Sequence, residues 1–180
     1  MNISNSMSKY SGCGKLKYSA FYTRYFTHRS PKFLFEIGVY KGDSLRVWQD
    51  FFPHCKIVGL DINEEAKVLA PEFEVYVGNQ RDTKLLDKIF STHGLPDIII
   101  DDGGHTRSQQ ITSLAHIFPK MSPDSLYIIE DMQVNYTKPW NDQPLSTYDY
   151  LMNLIKLPNS KSGMSYRSII FESTICMLVK

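Results

Sequence analysis

Apolar positions along the chain recur with two different periods. Short β-rich runs at Phe33–Gly38, Lys56–Asp61, Phe73–Gly78, Asp97–Asp101 and Leu126–Asp131 are nearly continuous in apolar character, most densely at Ile98-Ile99-Ile100. Between them the spacing turns helical. Leu45, Trp48 and Phe52 form one stripe, and Leu85, Leu86, Ile89 and Phe90 a second. Ile111, Leu114, Ala115 and Phe118, at i, i+3, i+4 and i+7, form the clearest. Strands buried on both faces and alternating with helices predict a mostly parallel sheet covered on both sides. Asp82 and Thr106 stand where two of the helices need N-caps. After a further helix near Thr147–Leu157, the runs Tyr166–Glu172 and Thr174–Lys180 are joined too tightly for a helical crossover, so they should pair antiparallel at the end of the sheet. The expected fold class is therefore α/β: a doubly wound, mostly parallel seven-stranded sheet with an antiparallel C-terminal strand. Ahead of the first strand, Tyr18, Phe21, Tyr22, Tyr25 and Phe26 fall at helical spacing and read as an aromatic stripe packed on the sheet. Loop-like composition clusters at the N-terminus, at residues 135–147 and around Lys156–Gly163.

Composition narrows the class further. A chain of 180 residues fits one domain over 1–180. Twenty Lys and Arg against 19 Asp and Glu leave a net charge of +1, which provides no basic field for nucleic acid. No apolar stretch approaches the roughly 20 residues of a bilayer span, and the polar start has no leader-like apolar core. No membrane partner and a cytoplasmic location are expected. Cys13, Cys55 and Cys176 are an odd number without C-x-x-C spacing, which argues for reduced thiols over a disulfide framework or zinc site.

In an open parallel sheet, ligands bind beyond the carboxyl ends of the strands. The first such end reads Glu36-Ile37-Gly38-Val39-Tyr40-Lys41-Gly42-Asp43-Ser44. Gly38 permits a sharp turn, Gly42 a close backbone approach to a ligand, and Ser44 a cap or donor at a helix N-terminus. The spacing is G-x-x-x-G rather than G-x-G-x-x-G, with an acid two residues before the first glycine, and suits a cationic or neutral ligand better than a pyrophosphate. Asp61, closing the second strand, is placed to accept from two ribose hydroxyls. Asn79, Gln80 and Asp82 at the third offer groups for an adenine edge. The three ends together favour a nucleoside cofactor.

The fourth and fifth strands end in acids: Asp101-Asp102-Gly103-Gly104-His105 and Glu130-Asp131. If strands one, four and five are neighbours, these carboxylates converge and repel one another unless a cation sits between them. Oxygen ligands select a hard ion, with Mg²⁺ the natural candidate and Mn²⁺ or Ca²⁺ alternatives. His105 is then available as a general base, histidine being the side chain that ordinarily titrates nearest neutrality.

These segments, Phe35 to Trp48, Val58 to Ile62, Gly78-Asn79-Gln80, Asp97 to His105 and Leu126 to Asp131, resemble the S-adenosylmethionine-dependent methyltransferases of Rossmann-like fold. The closer likeness is to the metal-dependent sugar O-methyltransferases of the mycinamicin and macrocin type, over roughly residues 10 to 136. The resemblance implies an Mg²⁺-dependent O-methyltransferase acting on a hydroxyl of a sugar or glycosylated small molecule. It implies that Asp102, Glu130 and Asp131 hold Mg²⁺ and that His105 is the base. Glu36, Gly38, Gly42, Ser44, Asp61, Gln80 and Asp101 would hold S-adenosylmethionine, and the loop Gln133–Trp140 would wall the acceptor. A hydroxylase-like or non-catalytic cofactor-binding protein is the alternative on the same fold, since the cephalosporin hydroxylase group has similar acidic strand ends. A homo-oligomer is left open.

Overall fold

In the computed structural model, which describes residues 3–157 and 163–180, the strands are β1 (Phe33–Ile37), β2 (Lys56–Asp61), β3 (Glu74–Val77), β4 (Ile98–Asp101), β5 (Leu126–Ile129), β6 (Ser168–Glu172) and β7 (Ile175–Val179). They form one seven-stranded sheet in the order β3-β2-β1-β4-β5-β7-β6. β1 to β5 pair in parallel, while β7 is antiparallel to both β5 and β6. This is the doubly wound, mostly parallel arrangement expected, and the tight connection at Ser173, a left-handed residue with φ 51°, accounts for the antiparallel end. The order reverses between β1 and β4, so a crevice opens between their carboxyl ends. The loop-like stretch around Lys156–Gly163 lies largely outside the described residues.

Seven helices cover the two faces among the described residues: α1 (Ile3–Lys9), α2 (Ser19–Phe26), α3 (Asp43–Phe51), α4 (Glu65–Leu69), α5 (Thr83–His93), α6 (Arg107–Ile117) and α7 (Thr147–Lys156). On one face Met7, Tyr22, Phe26 and Trp48 pack on Leu34, Ile98, Ile100, Leu126 and Ile128. On the other, Leu86, Ile89, Leu114, Ile117 and Leu151 pack on Phe35, Val58, Leu60, Ile99 and Tyr127. Asp82 caps α5 by accepting from the amides of Lys84 and Leu85. Thr106 caps α6 in a reciprocal pair with Gln109. No helix among the described residues is long and apolar enough to cross a membrane.

The period of two along a strand decides where the acids go. Leu34, Ile98, Ile100, Leu126 and Ile128 face the α1–α3 layer, so Glu36, Asp102 and Glu130, two residues further on, project from three adjacent strand ends toward that same layer. Asp101 has the parity of Ile99 and faces α6 instead.

Candidate active site

Beyond β1, β2 and β3 lies a cavity of about 290 Å³, lined by Gly38, Ser44, Asp61, Gln80 and Asp102 and closed partly by Gly12 and Cys13 of the N-terminal segment. Its first turn is built around Asp61. One carboxylate oxygen accepts from the amides of Val39 and Tyr40, both at 2.8 Å, and the other from Asn63 at 2.9 Å. Gly38 has φ +91°, and a Cβ there would lie 2.0 Å from the carbonyl oxygen of Asp102, so only glycine lets β1 turn against the β4 end. Gln80 donates to both oxygens of Asp101, at 2.9 and 3.0 Å, and accepts from the Gly104 amide at 3.1 Å.

Three residues expected to touch a cofactor do not line this cavity. Glu36 is fully buried beneath it: one oxygen accepts from the Trp48 indole at 3.0 Å and the other lies 3.2 Å from the Lys15 ammonium. Gly42, at φ +78°, is needed because a Cβ would meet Ala70, just past the end of α4, at 2.5 Å. Asp101 is spent on Gln80, Ser113 (2.8 Å) and Tyr127 (3.1 Å). Burial raises its pKa against the pull of those hydrogen bonds.

The acids of β4 and β5 do converge, but with companions that sequence reasoning missed. Lys15, 1 % exposed, sits in the last short helical turn before α2 and places its ammonium 2.7 Å from Asp102 Oδ2 and 2.8 Å from Glu130 Oε1. Burial opposes its charge, yet Asp102, Glu130 and Glu36 together hold its pKa well above the ordinary lysine value. One ammonium shared by three carboxylates compensates none of them fully. Burial accordingly pushes Glu130 up to about 8 despite Lys15, and raises Glu36 likewise. The Tyr22 hydroxyl also donates to Glu130. Asp131 accepts from Lys17 at 2.5 Å and from the Tyr18 hydroxyl at 2.6 Å. These outweigh burial and keep its pKa below the usual carboxylate range. Tyr18 and Tyr22 belong to the aromatic stripe, and their i, i+4 spacing, which aims two hydroxyls at one spot, was the available signal.

Asp102, His105 and Asp131 each offer one ligand atom, all within 4.8 Å of one another. His105 Nε2 is 3.8 Å from Asp102 Oδ1, and its Nδ1 is buried without a hydrogen-bond partner among the described residues. Both His105 (φ 56°) and Asp131 (φ 53°) adopt left-handed backbone, a strain that the surroundings must hold. His105 is held by Asn135, 1 % exposed, which donates to the His105 carbonyl at 3.0 Å and to Gln110 at 2.9 Å, and Asp131 by Tyr18, whose hydroxyl accepts from the Asp131 amide at 3.2 Å. Arg107 ties the following loop to α6 through the carbonyls of Asn135 and Gln143. Two carboxylates and an imidazole in this setting suit a small divalent cation.

The chain is similar to mycinamicin VI 2''-O-methyltransferase of Micromonospora griseorubida, 38 % identical over 157 residues, which cover 69 % of this chain and 39 % of that protein. It is 38 % identical over 95 residues to demethylmacrocin O-methyltransferase of Streptomyces fradiae, covering 53 % of this chain and 24 % of the relative. Among solved structures, the MycE methyltransferase of the mycinamycin biosynthetic pathway, in complex with Mg, SAH and mycinamycin VI, matches 100 % of this chain and 53 % of its own, with a TM-score of 0.88 and 30 % identity. The chain thus spans about half the length of that structure and less of these two curated relatives. No protein-family model matches it. Its homologues are O-methyltransferases, and its fold is the Rossmann-like fold of the S-adenosylmethionine-dependent methyltransferases.

Proposed function

We propose that this chain, carrying a methyltransferase fold, is an S-adenosylmethionine- and Mg²⁺-dependent O-methyltransferase acting on a hydroxyl of a sugar or glycosylated small molecule, with residues 1–180 as one catalytic domain working in the cytoplasm. The observation that carries the reading is the meeting, at the switch point of the sheet, of a cavity organised by Asp61 with the cluster of Asp102, His105 and Asp131.

Asp61, Gln80, Ser44 and the backbone at Gly38 would hold the cofactor, with Glu36, Gly42 and Asp101 supporting the walls from behind. Asp102, Asp131 and Glu130 would hold the cation. When bound, the cofactor supplies an activated methyl group and the cation lowers the pKa of an acceptor hydroxyl. The protein's own contribution is alignment and proton removal. His105, whose carbonyl is held by Asn135, holds the position from which an imidazole nitrogen takes the acceptor's proton. The loop after Asp131, anchored by Arg107, would wall the acceptor.

Incubation with methyl-labelled S-adenosylmethionine and Mg²⁺ against a panel of glycosides should transfer label to a sugar hydroxyl, and transfer should stop in excess chelator. Binding of S-adenosylmethionine without transfer to any hydroxyl would favour the non-catalytic reading.

A further inference from the structure

We propose that Lys15 is a positioning residue of the cation site: a resident ammonium that occupies the inward oxygens of Asp102 and Glu130 and so fixes where a divalent ion can sit. The inference rests on the reading of Asp102, Glu130 and Asp131 as cation-holding carboxylates. Lys15 takes Asp102 Oδ2 at 2.7 Å and Glu130 Oε1 at 2.8 Å, and Tyr22 takes the same Glu130 oxygen. The other Asp102 oxygen, Oδ1, is the one beside His105 Nε2, at 3.8 Å. An incoming ion therefore finds the deep half of the cluster already engaged and is kept to the outer half, next to Asp131 and His105, where an acceptor oxygen and a base can meet. Lys15 is anchored for this task. Its third carboxylate, Glu36 at 3.2 Å, is fixed by the Trp48 indole, and the ammonium also lies 5.9 Å from the centre of a Trp48 ring.

Two opposite consequences follow from oxygens shared between an ammonium and an ion, since affinity at oxygen sites grows with the negative charge offered. Removing Lys15 frees Asp102 Oδ2, leaves Glu130 Oε1 to Tyr22 alone and uncovers one negative charge, so an ion binds more tightly but deeper, away from His105. Neutralising Glu36 releases Lys15 from its third partner, tightens its hold on Asp102 and Glu130, and weakens ion binding. A residue that merely stabilised the fold would lower affinity and turnover together.

The experiment is an EPR titration of the protein with Mn²⁺, with methyl transfer measured in parallel. Lys15→Met and Lys15→Gln should bind Mn²⁺ at least tenfold more tightly, with an altered spectrum of the bound ion, and turn over more slowly. Glu36→Gln, nearly isosteric and still able to accept from Trp48, should bind at least threefold more weakly. Folded Lys15 variants that bind Mn²⁺ like the wild type, or more weakly, overturn the proposal. If circular dichroism shows neither to be folded, Glu36→Gln decides alone, and unchanged or tighter binding overturns it. A wild-type protein that binds no Mn²⁺ overturns the cation reading itself, and that outcome is visible before any variant is made.

Discussion

The two halves of the carboxyl edge are built by different physics. Around the cavity, order comes from neutral donors: backbone amides on Asp61 at the end of β2, and Gln80, Ser113 and Tyr127 on Asp101 at the end of β4. In the acidic corner, order comes from charge, with Lys15 and Lys17 brought up against Glu36 of β1 and against Asp102, Glu130 and Asp131 just past β4 and β5. Neutral donors leave the first half a preformed cavity whose shape does not depend on an ion. Like charges held by shared cations make the second half responsive to any further cation that arrives. The cavity and the acidic corner therefore sit side by side and can be altered separately.

That separation can be tested from both sides. The largest effect is expected from Asp131→Ala, which should bring methyl transfer below detection while calorimetry shows affinity for S-adenosylhomocysteine within about twofold of wild type; a parallel loss of both would show that the halves are one unit. His105→Ala should lower kcat by about 10²- to 10⁴-fold with Mn²⁺ affinity unchanged, as for a lost base. Lost Mn²⁺ binding would instead make His105 a ligand. On the other side, Asp61→Ala removes charge-assisted hydrogen bonds worth about 1.5–3 kcal/mol each. It should weaken S-adenosylhomocysteine binding and leave Mn²⁺ binding alone. The smallest change is expected for Asp101→Asn. Gln80, Ser113 and Tyr127 all donate to this carboxylate, so an amide nitrogen there faces a donor, at a cost of about 1–3 kcal/mol in denaturant unfolding but without effect on Mn²⁺ affinity.

The same division explains what could be read from the chain alone. The strand ends and the N-caps at Asp82 and Thr106 follow from local pattern, because periodicity and strand-end chemistry are written over a few residues, whereas the adjacency of β1, β4 and β5 entered only as a condition that the sheet order meets. Even the face taken by Glu36, Asp102 and Glu130 is implicit in strand alternation. What comes to meet them is not. Lys15 bonds partners 87 and 115 residues away, and a lysine in a short polar segment carries no local sign that it will be buried. Gly42 is a related case: its glycine is required by the close packing of Ala70, just past α4, a long-range contact that local pattern does not show. Tyr18 and Tyr22 were found as apolar surface, while their hydroxyls act on Asp131 and Glu130.

The span of the Lys15 contacts also bears on how the molecule is made. During synthesis the ammonium leaves the ribosome first and must wait until Glu130 has followed it before its full set of partners exists. Until then Lys15 can meet Glu36 and Asp102 but lacks its third carboxylate. Closing so long a loop costs little more than closing one half its length, but such non-local contacts form late. The acidic corner is thus among the last parts of the newborn chain to mature, and its completion reports that β1, β4 and β5 have come together at the middle of the sheet.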